Sequence, residues 1–324
     1  MVVSKLLPLT MAGLLLLATH SVRAATLTTF ATFNAATSTA FEEAPENLVI
    51  DRDSNVFVSL LLSNEVRKIT PAGVQSPYAT FTGGPGSLTA GLVIDDDTGD
   101  LFVAYNPAGQ PSVVYVVHPD LTKHVIATFP PGVGLNGMTP DDDGNLYVAD
   151  SFGGVVWRVP AGGGTPSILV DFGVQARGTL QLPGPNGIKF DKHHRHLYVS
   201  VSNLSTIYRV PVNADGSVGT PVVFVSQVTP DDFAFDRLGN LYVATEPNMS
   251  VLRVAPDGTQ ATLASAVDGL QNTTAVLFGR AGEDRLELYI LSFAFPPFPP
   301  SPNQHPAIYK LDVGVPGLPV SIPY

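Results

Sequence analysis

Asn186-Gly187-Ile188-Lys189-Phe190-Asp191, with Leu197-Tyr198-Val199 beginning six residues after its aspartate, is one copy of a phrase that the chain repeats. Earlier copies read Glu46-Asn47-Leu48-Val49-Ile50-Asp51, Ala90-Gly91-Leu92-Val93-Ile94-Asp95 and Asn136-Gly137-Met138-Thr139-Pro140-Asp141. Later copies read Asp231-Asp232-Phe233-Ala234-Phe235-Asp236 and, more weakly, Thr274-Ala275-Val276-Leu277-Phe278-Gly279. The first positions lie 44, 46, 50, 45 and 43 residues apart. A period in the forties with β-type composition is the mark of propeller blades.

Each copy continues alike. A turn rich in Asp, Gly and Asn follows, such as Asp143-Gly144-Asn145, and then an alternating apolar strand such as Leu146-Tyr147-Val148 or Leu241-Tyr242-Val243. Strand, turn and strand make a hairpin. A third strand (Glu65 to Ile69, Val155 to Val159, Thr206 to Val210, Ser250 to Val254) runs into a Pro/Gly turn, and a fourth follows, as at Ser76 to Phe81. The chain therefore reads as an all-β, six-bladed β-propeller of four-stranded antiparallel blades. The sixth blade offers strands at 274–278, 287–292 and 307–312 only, while Thr26 to Phe33 has no blade of its own. That N-terminal strand is expected to complete the last blade and close the ring, which removes exposed edges. Two insertions, 171–184 and the Pro-rich 294–306, read as surface loops able to roof a pocket mouth.

Composition bounds the rest. The 324 residues are 44% hydrophobic and 14% charged, ample for a core in one propeller domain over 25–324. Residues 1–24 read as a signal peptide: Lys5, an apolar run from Met11 to Ala18, and Val22-Arg23-Ala24 before the cut. The expected destination is outside the cell or the periplasm, with no membrane span in the mature chain. The net charge is −11, and cleavage would also remove Lys5 and Arg23. Such acidity disfavours nucleic acid and anionic membranes and suits a soluble exported protein or one that binds cations; the expected partner is a small-molecule substrate. There is no cysteine, which excludes thiol nucleophiles, thiolate metal sites and disulfides. Asn203, Asn248 and Asn272 lie in N-x-S/T sequons, which matter only in a eukaryotic secretory route.

The first position of the phrase begins the innermost strand, so its six copies should face one another around the channel. In order they are Glu46, Ala90, Asn136, Asn186, Asp231 and Thr274. Two carboxylates and two amides converging on one axis offer only oxygen donors, which suits a hard divalent cation. Calcium is the first choice, with zinc, magnesium and manganese as alternatives. Without a cation, Glu46 and Asp231 would repel, and one would hold a proton.

These same residues carry a resemblance. Pro185-Asn186-Gly187-Ile188 with Asp191 and Leu197-Tyr198-Val199, and Pro230-Asp231-Asp232-Phe233-Ala234-Phe235-Asp236 with Gly239-Asn240-Leu241-Tyr242-Val243-Ala244, resemble signature stretches of the senescence-marker-protein/gluconolactonase/luciferin-regenerating-enzyme family. The Glu46 and Asn136 phrases are similar to its two other metal-site blades, and the likeness extends over about residues 26–313. The resemblance implies a six-bladed fold, a divalent metal in the channel and lactone hydrolysis. It implies Glu46, Asn186 and Asp231 as ligands, Asp231 as general base, and Asn136 beside the metal, its water or the substrate. Two positions depart from the pattern. Gly134 stands where sugar-lactone members carry Arg, and Asp232 stands where the family has Gly. The stretches around Val148 to Ser151, Val156 to Val159 and Asp231 to Phe233 also look like a fungal branch of these propellers that includes hetero-Diels–Alderases. Strictosidine-synthase-like propellers, which use a glutamate as acid/base, are a third relative. A pericyclase and a non-catalytic exported binding propeller are thus the alternative functions.

Other candidates read as structure. His193, His194 and His196 fall in a hairpin turn, away from Asn186. Trp157 reads as packing between blades. The Asp95–Asp97 and Asp141–Asp143 runs lack the spacing and final Glu of a calcium loop. Gly84-Pro85-Gly86-Ser87 has no triad partner.

Overall fold

The computed structural model describes residues 26–34, 43–293 and 306–318. Six four-stranded antiparallel sheets succeed one another along the chain. Blade one holds β2 (Pro45–Ile50), β3 (Val56–Leu60), β4 (Glu65–Ile69) and β5 (Gln75–Thr80). The innermost strands of blades two to six are β6 (Leu88–Ile94), β10 (Leu135–Pro140), β14 (Pro185–Phe190), β18 (Pro230–Phe235) and β22 (Thr273–Phe278). Each innermost strand packs on the next, and β22 packs on β2, so the ring is closed. The all-β, six-bladed expectation holds.

Closure works as the sequence implied. β1 (Thr28–Thr32) pairs antiparallel with β24 (Ala307–Asp312), which follows β23 (Glu287–Ser292) in the sixth sheet. The first and last strands of the propeller are thereby hydrogen-bonded, and the sixth blade has its full four strands.

The phrase has a physical reading position by position. Its closing aspartate accepts backbone N–H bonds from the turn: Asp51 Oδ1 from Asn55, Asp141 Oδ1 from Asn145, and Asp236 Oδ1 from Asn240, at 2.8–2.9 Å. This Asx geometry reverses the chain between the first two strands. In the last three blades an aromatic ends the phrase's strand and takes the ring of the preceding blade edge-on. Phe190 meets Tyr147, Phe235 meets Tyr198 and Phe278 meets Tyr242, each with centroids 5.0 Å apart. The apolar core accordingly lies between blades, in clusters shared by neighbours. Trp157 belongs there, packing edge-on against Phe129 of blade two.

Candidate functional site

All six innermost strands change register at the first position of the phrase. Pairing skips between Pro45 and Asn47, Thr89 and Leu92, Leu135 and Met138, Pro185 and Ile188, Pro230 and Phe233, and Thr273 and Ala275. A bulge re-aims the side chain it contains. Here the bulges hold Glu46, Ala90, Asn136, Asn186, Asp231 and Thr274 at one level of the ring. The glycines that follow let the strands approach. A Cβ on Gly137 would lie 2.5 Å from the Asn186 carbonyl oxygen, and one on Gly187 would lie 2.7 Å from Asp232 Cα.

At this level the channel opens into a cavity of about 530 Å³. Glu46, Asn136 and Asp231 line it, with Ala90 between them in the ring. Asn186, 2% exposed, stands between Asn136 and Asp231 in blade order but is covered. Thr274 is also buried, and its hydroxyl has no partner among the described residues. Four residues of the 171–184 insertion, Thr179, Leu180, Gln181 and Pro183, form part of the wall, so this loop does roof the pocket. Most of the other insertion, 294–305, lies outside the described residues.

Two serines fix the amides. Asn136 Nδ2 donates to Ser151 Oγ at 3.3 Å, and Asn186 Nδ2 donates to Ser202 Oγ at 3.2 Å. Each serine spends its single proton on the next blade: Ser151 on Pro185 O at 2.8 Å, Ser202 on Pro230 O at 2.6 Å. A hydroxyl that has donated can only accept from the amide. Each asparagine must therefore turn its NH2 to the serine, leaving Oδ1 as its free end.

Sequence reasoning missed a third carboxylate. Glu246, next after β19 (Leu241–Thr245), lines the same cavity and shares a hydrogen bond with Asp231. It occupies the position that Ser151 and Ser202 hold in blades three and four, so aligning the blades on their second strands would have found it. Burial first, and then the charges of Glu246 and Asp232, push Glu46 up to about 8. Burial, then Glu46, Glu246 and Asp232, hold Asp231 well above the ordinary carboxylate range. Glu246 is raised by burial and lowered by its bond to Asp231.

Beneath the carboxylates the channel is plugged. Lys189 Nζ meets Asp232 Oδ1 at 2.8 Å, and Asn47 Nδ2 donates to Asp232 Oδ2 at 3.1 Å. Below this floor lies a smaller recess of about 170 Å³, with Arg237, Arg280 and Arg285 at its edge. Arg280 is paired there with Asp96.

The donor set fits a hard cation in its chemistry: carboxylate and amide oxygens, no sulfur and no imidazole. Among the described residues no three His, Cys, Asp or Glu side chains form a metal-binding group by themselves. A cation here would draw on the free amide oxygens of Asn186 and Asn136 as well as on Glu46 and Asp231. Of the hairpin-turn histidines, His196 and His194 are paired with Asp191 and Asp142. Asn272, one of the sequon residues, is only 7% exposed.

A family model described as an SMP-30/gluconolactonase/LRE-like region matches residues 170–294. The calcium-binding protein regucalcin of Agrobacterium tumefaciens is 16% identical over 91% of this chain and 98% of that one, with a TM-score of 0.69. A gluconolactonase of Xanthomonas campestris is 19% identical over 90% and 89%, with a TM-score of 0.65. Virginiamycin B lyase of Staphylococcus aureus is 13% identical over 82% and 81%, with a TM-score of 0.57. No curated protein matches. At these identities the solved structures establish the fold, and the family match covers blades four and five and the inner half of blade six. The chain is a six-bladed β-propeller whose residues 170–294 are similar to the SMP-30/gluconolactonase/LRE-like region.

Proposed function

We propose that this chain is a lactone or ester hydrolase that works with a divalent cation, calcium first, in the channel cavity. The observation that carries the reading is the meeting of Glu46, Asp231 and the serine-oriented Asn136 at one level of a pocket, with the serine-oriented Asn186 behind them in the same ring. Glu46, Asn186 and Asp231 would hold the cation, with Asn136 beside it facing the ligand. When bound, the cation supplies polarisation of the ester carbonyl and positive charge for the oxyanion.

The chain's own groups handle the proton. Ionised Asp231 takes it from the attacking water. Burial makes Asp231 a stronger base than an ordinary aspartate, and Glu246 lies within hydrogen-bond reach of it. The Asn136 amide, held by Ser151, positions the substrate. The ligand is a small molecule, not nucleic acid. The mature protein is exported after removal of residues 1–24, which lie outside the described residues.

The mostly apolar upper wall of the cavity also suits a biosynthetic pericyclase, whose catalysis is by shape. Elemental analysis of the purified mature protein beside Asp231→Ala separates the two. Near-stoichiometric calcium that is lost in the variant, with turnover of lactones or esters lost alongside, supports the hydrolase. No metal in either folded protein sinks it.

A further inference from the structure

We propose that the cavity takes an apolar acyl lactone or ester rather than a polyhydroxylated one, and that Phe152 sets this preference. The inference rests on the hydrolase reading of the same cavity and adds its substrate class.

The polarity of the pocket is divided by height. Among the described residues its charged groups are Glu46, Asp231 and Glu246 on the floor, and no Lys, Arg or His lines it. Its walls include Leu61, Leu88, Leu135, Phe152, Leu180 and Phe293. A ligand of drug-like size fits a pocket of about 530 Å³. Of the polar groups beside these walls, Asn106 is spent on the Leu135 backbone and Ser151 on Pro185 O, so hydroxyls against the apolar side chains would lose water without a partner there, which disfavours a sugar. A hydrocarbon arm would gain by burial there while its carbonyl reached the floor.

Phe152 is held for this purpose by a buried hub. Asp150, 1% exposed, accepts the backbone N–H of Gly134 at 3.0 Å, of Phe152 at 3.1 Å and of Gly153 at 2.8 Å on Oδ1. Its Oδ2 accepts Trp157 Nε1 at 3.1 Å. The hub brings the Phe152 ring over Gly134, where a Cβ would fall 2.5 Å from ring carbon Cδ2. The ring can cover that part of the wall because residue 134 has no side chain. Gly134 and Phe152 are thus a matched pair, and any side chain at 134 must displace the ring.

The test is calorimetric titration of the Asp231→Asn protein, in which turnover is off, with glucono-1,5-lactone, δ-valerolactone and δ-decalactone. Burial of each added methylene is worth up to about fourfold in affinity. The expected result is δ-decalactone at least tenfold tighter than δ-valerolactone, and gluconolactone weakest. Phe152→Ala on the same background should reduce the decalactone advantage at least threefold, and Gly134→Arg should abolish it. A flat series, gluconolactone tightest, no binding of any probe, or an unchanged advantage in Phe152→Ala overturns the proposal. Wild-type turnover separates it from the hydrolase reading. Tight decalactone binding without hydrolysis leaves the apolar class standing and removes the hydrolase. Hydrolysis of gluconolactone in preference to decalactone does the reverse.

Discussion

Lys189 of blade four and Asp232 of blade five form an ion pair, 2.8 Å and 3.0 Å to the two carboxylate oxygens, with both side chains nearly enclosed. Asp232 also accepts from Asn47 of blade one, so one carboxylate ties three blades together under the cavity. Removing one partner of a buried pair leaves the other charged and stranded, at about 3–5 kcal/mol. Asp232→Ala should therefore lose about that much stability in urea unfolding. Combining it with Lys189→Met should restore most of the loss. Equal losses in the single and the double variant would show that the pair is not coupled.

Glu46 makes the cation-free protein sensitive to alkali. Its folded value is pushed up to about 8 from 4.5, chiefly by burial. Between these values the native protein holds a proton that the unfolded chain has released. Stability is then full below pH 4.5 and falls as pH rises towards 8. Asp231, shifted the same way, adds to the trend. Melting temperatures in EDTA should decline across this range, and Glu46→Gln should flatten the decline. Calcium should reverse it by compensating the buried charge. A wild-type profile that does not change with pH would contradict the account.

The ring was legible because a propeller repeats its physics. The Asx turn at Asp51, Asp141 and Asp236 reverses the chain in each of these blades, and an apolar residue ends the inner strand where blade meets blade (Phe190, Phe235 and Phe278 in the last three), so the phrase recurs in the sequence. Glu246 was not legible in that way. The matching residues are Leu61, Ser151 and Ser202, and a position whose chemistry changes from blade to blade has no repeated word. The Lys189–Asp232 floor and the Asp150 hub escaped for another reason. The first joins residues 43 apart and the second gathers backbone N–H groups, and neither pattern has a composition. Asp232 and Gly134 were visible only as departures from a family pattern, and the structure supplies the contacts that explain them.

Backbone proximity at the bulges sets a sharp contrast among glycines. A Cβ at Gly137 would press on the Asn186 carbonyl at 2.5 Å, and the obstacle is the main chain of the next blade. Nothing lies within 4 Å of a Cβ at Gly84. Gly137→Ala should cost about 1–3 kcal/mol, the range for overpacking a tight interior. Gly84→Ala should be neutral or slightly stabilising. Denaturation midpoints of the two variants compare them directly, and equal midpoints would mean that the inner strands can spread.

Ser202 offers a test of the amide geometry that leaves every proposed cation ligand in place. Its hydroxyl accepts from Asn186 and donates to Pro230 O, which leaves Asn186 Oδ1 as the free end. In Ser202→Ala the amide loses the partner that fixes its orientation. Orienting partners of this kind are typically worth about 10–100-fold in metal affinity. Calcium titration of Ser202→Ala should show a loss of at least tenfold. Ser202→Thr, which restores a hydroxyl, should recover most of it. The variant also gives up the bond to Pro230, so a small fall in melting temperature is expected in either case. The affinity is the deciding measurement: a fall in stability with unchanged calcium binding would assign Ser202 to blade cohesion alone and would leave Asn186 outside the ligand set.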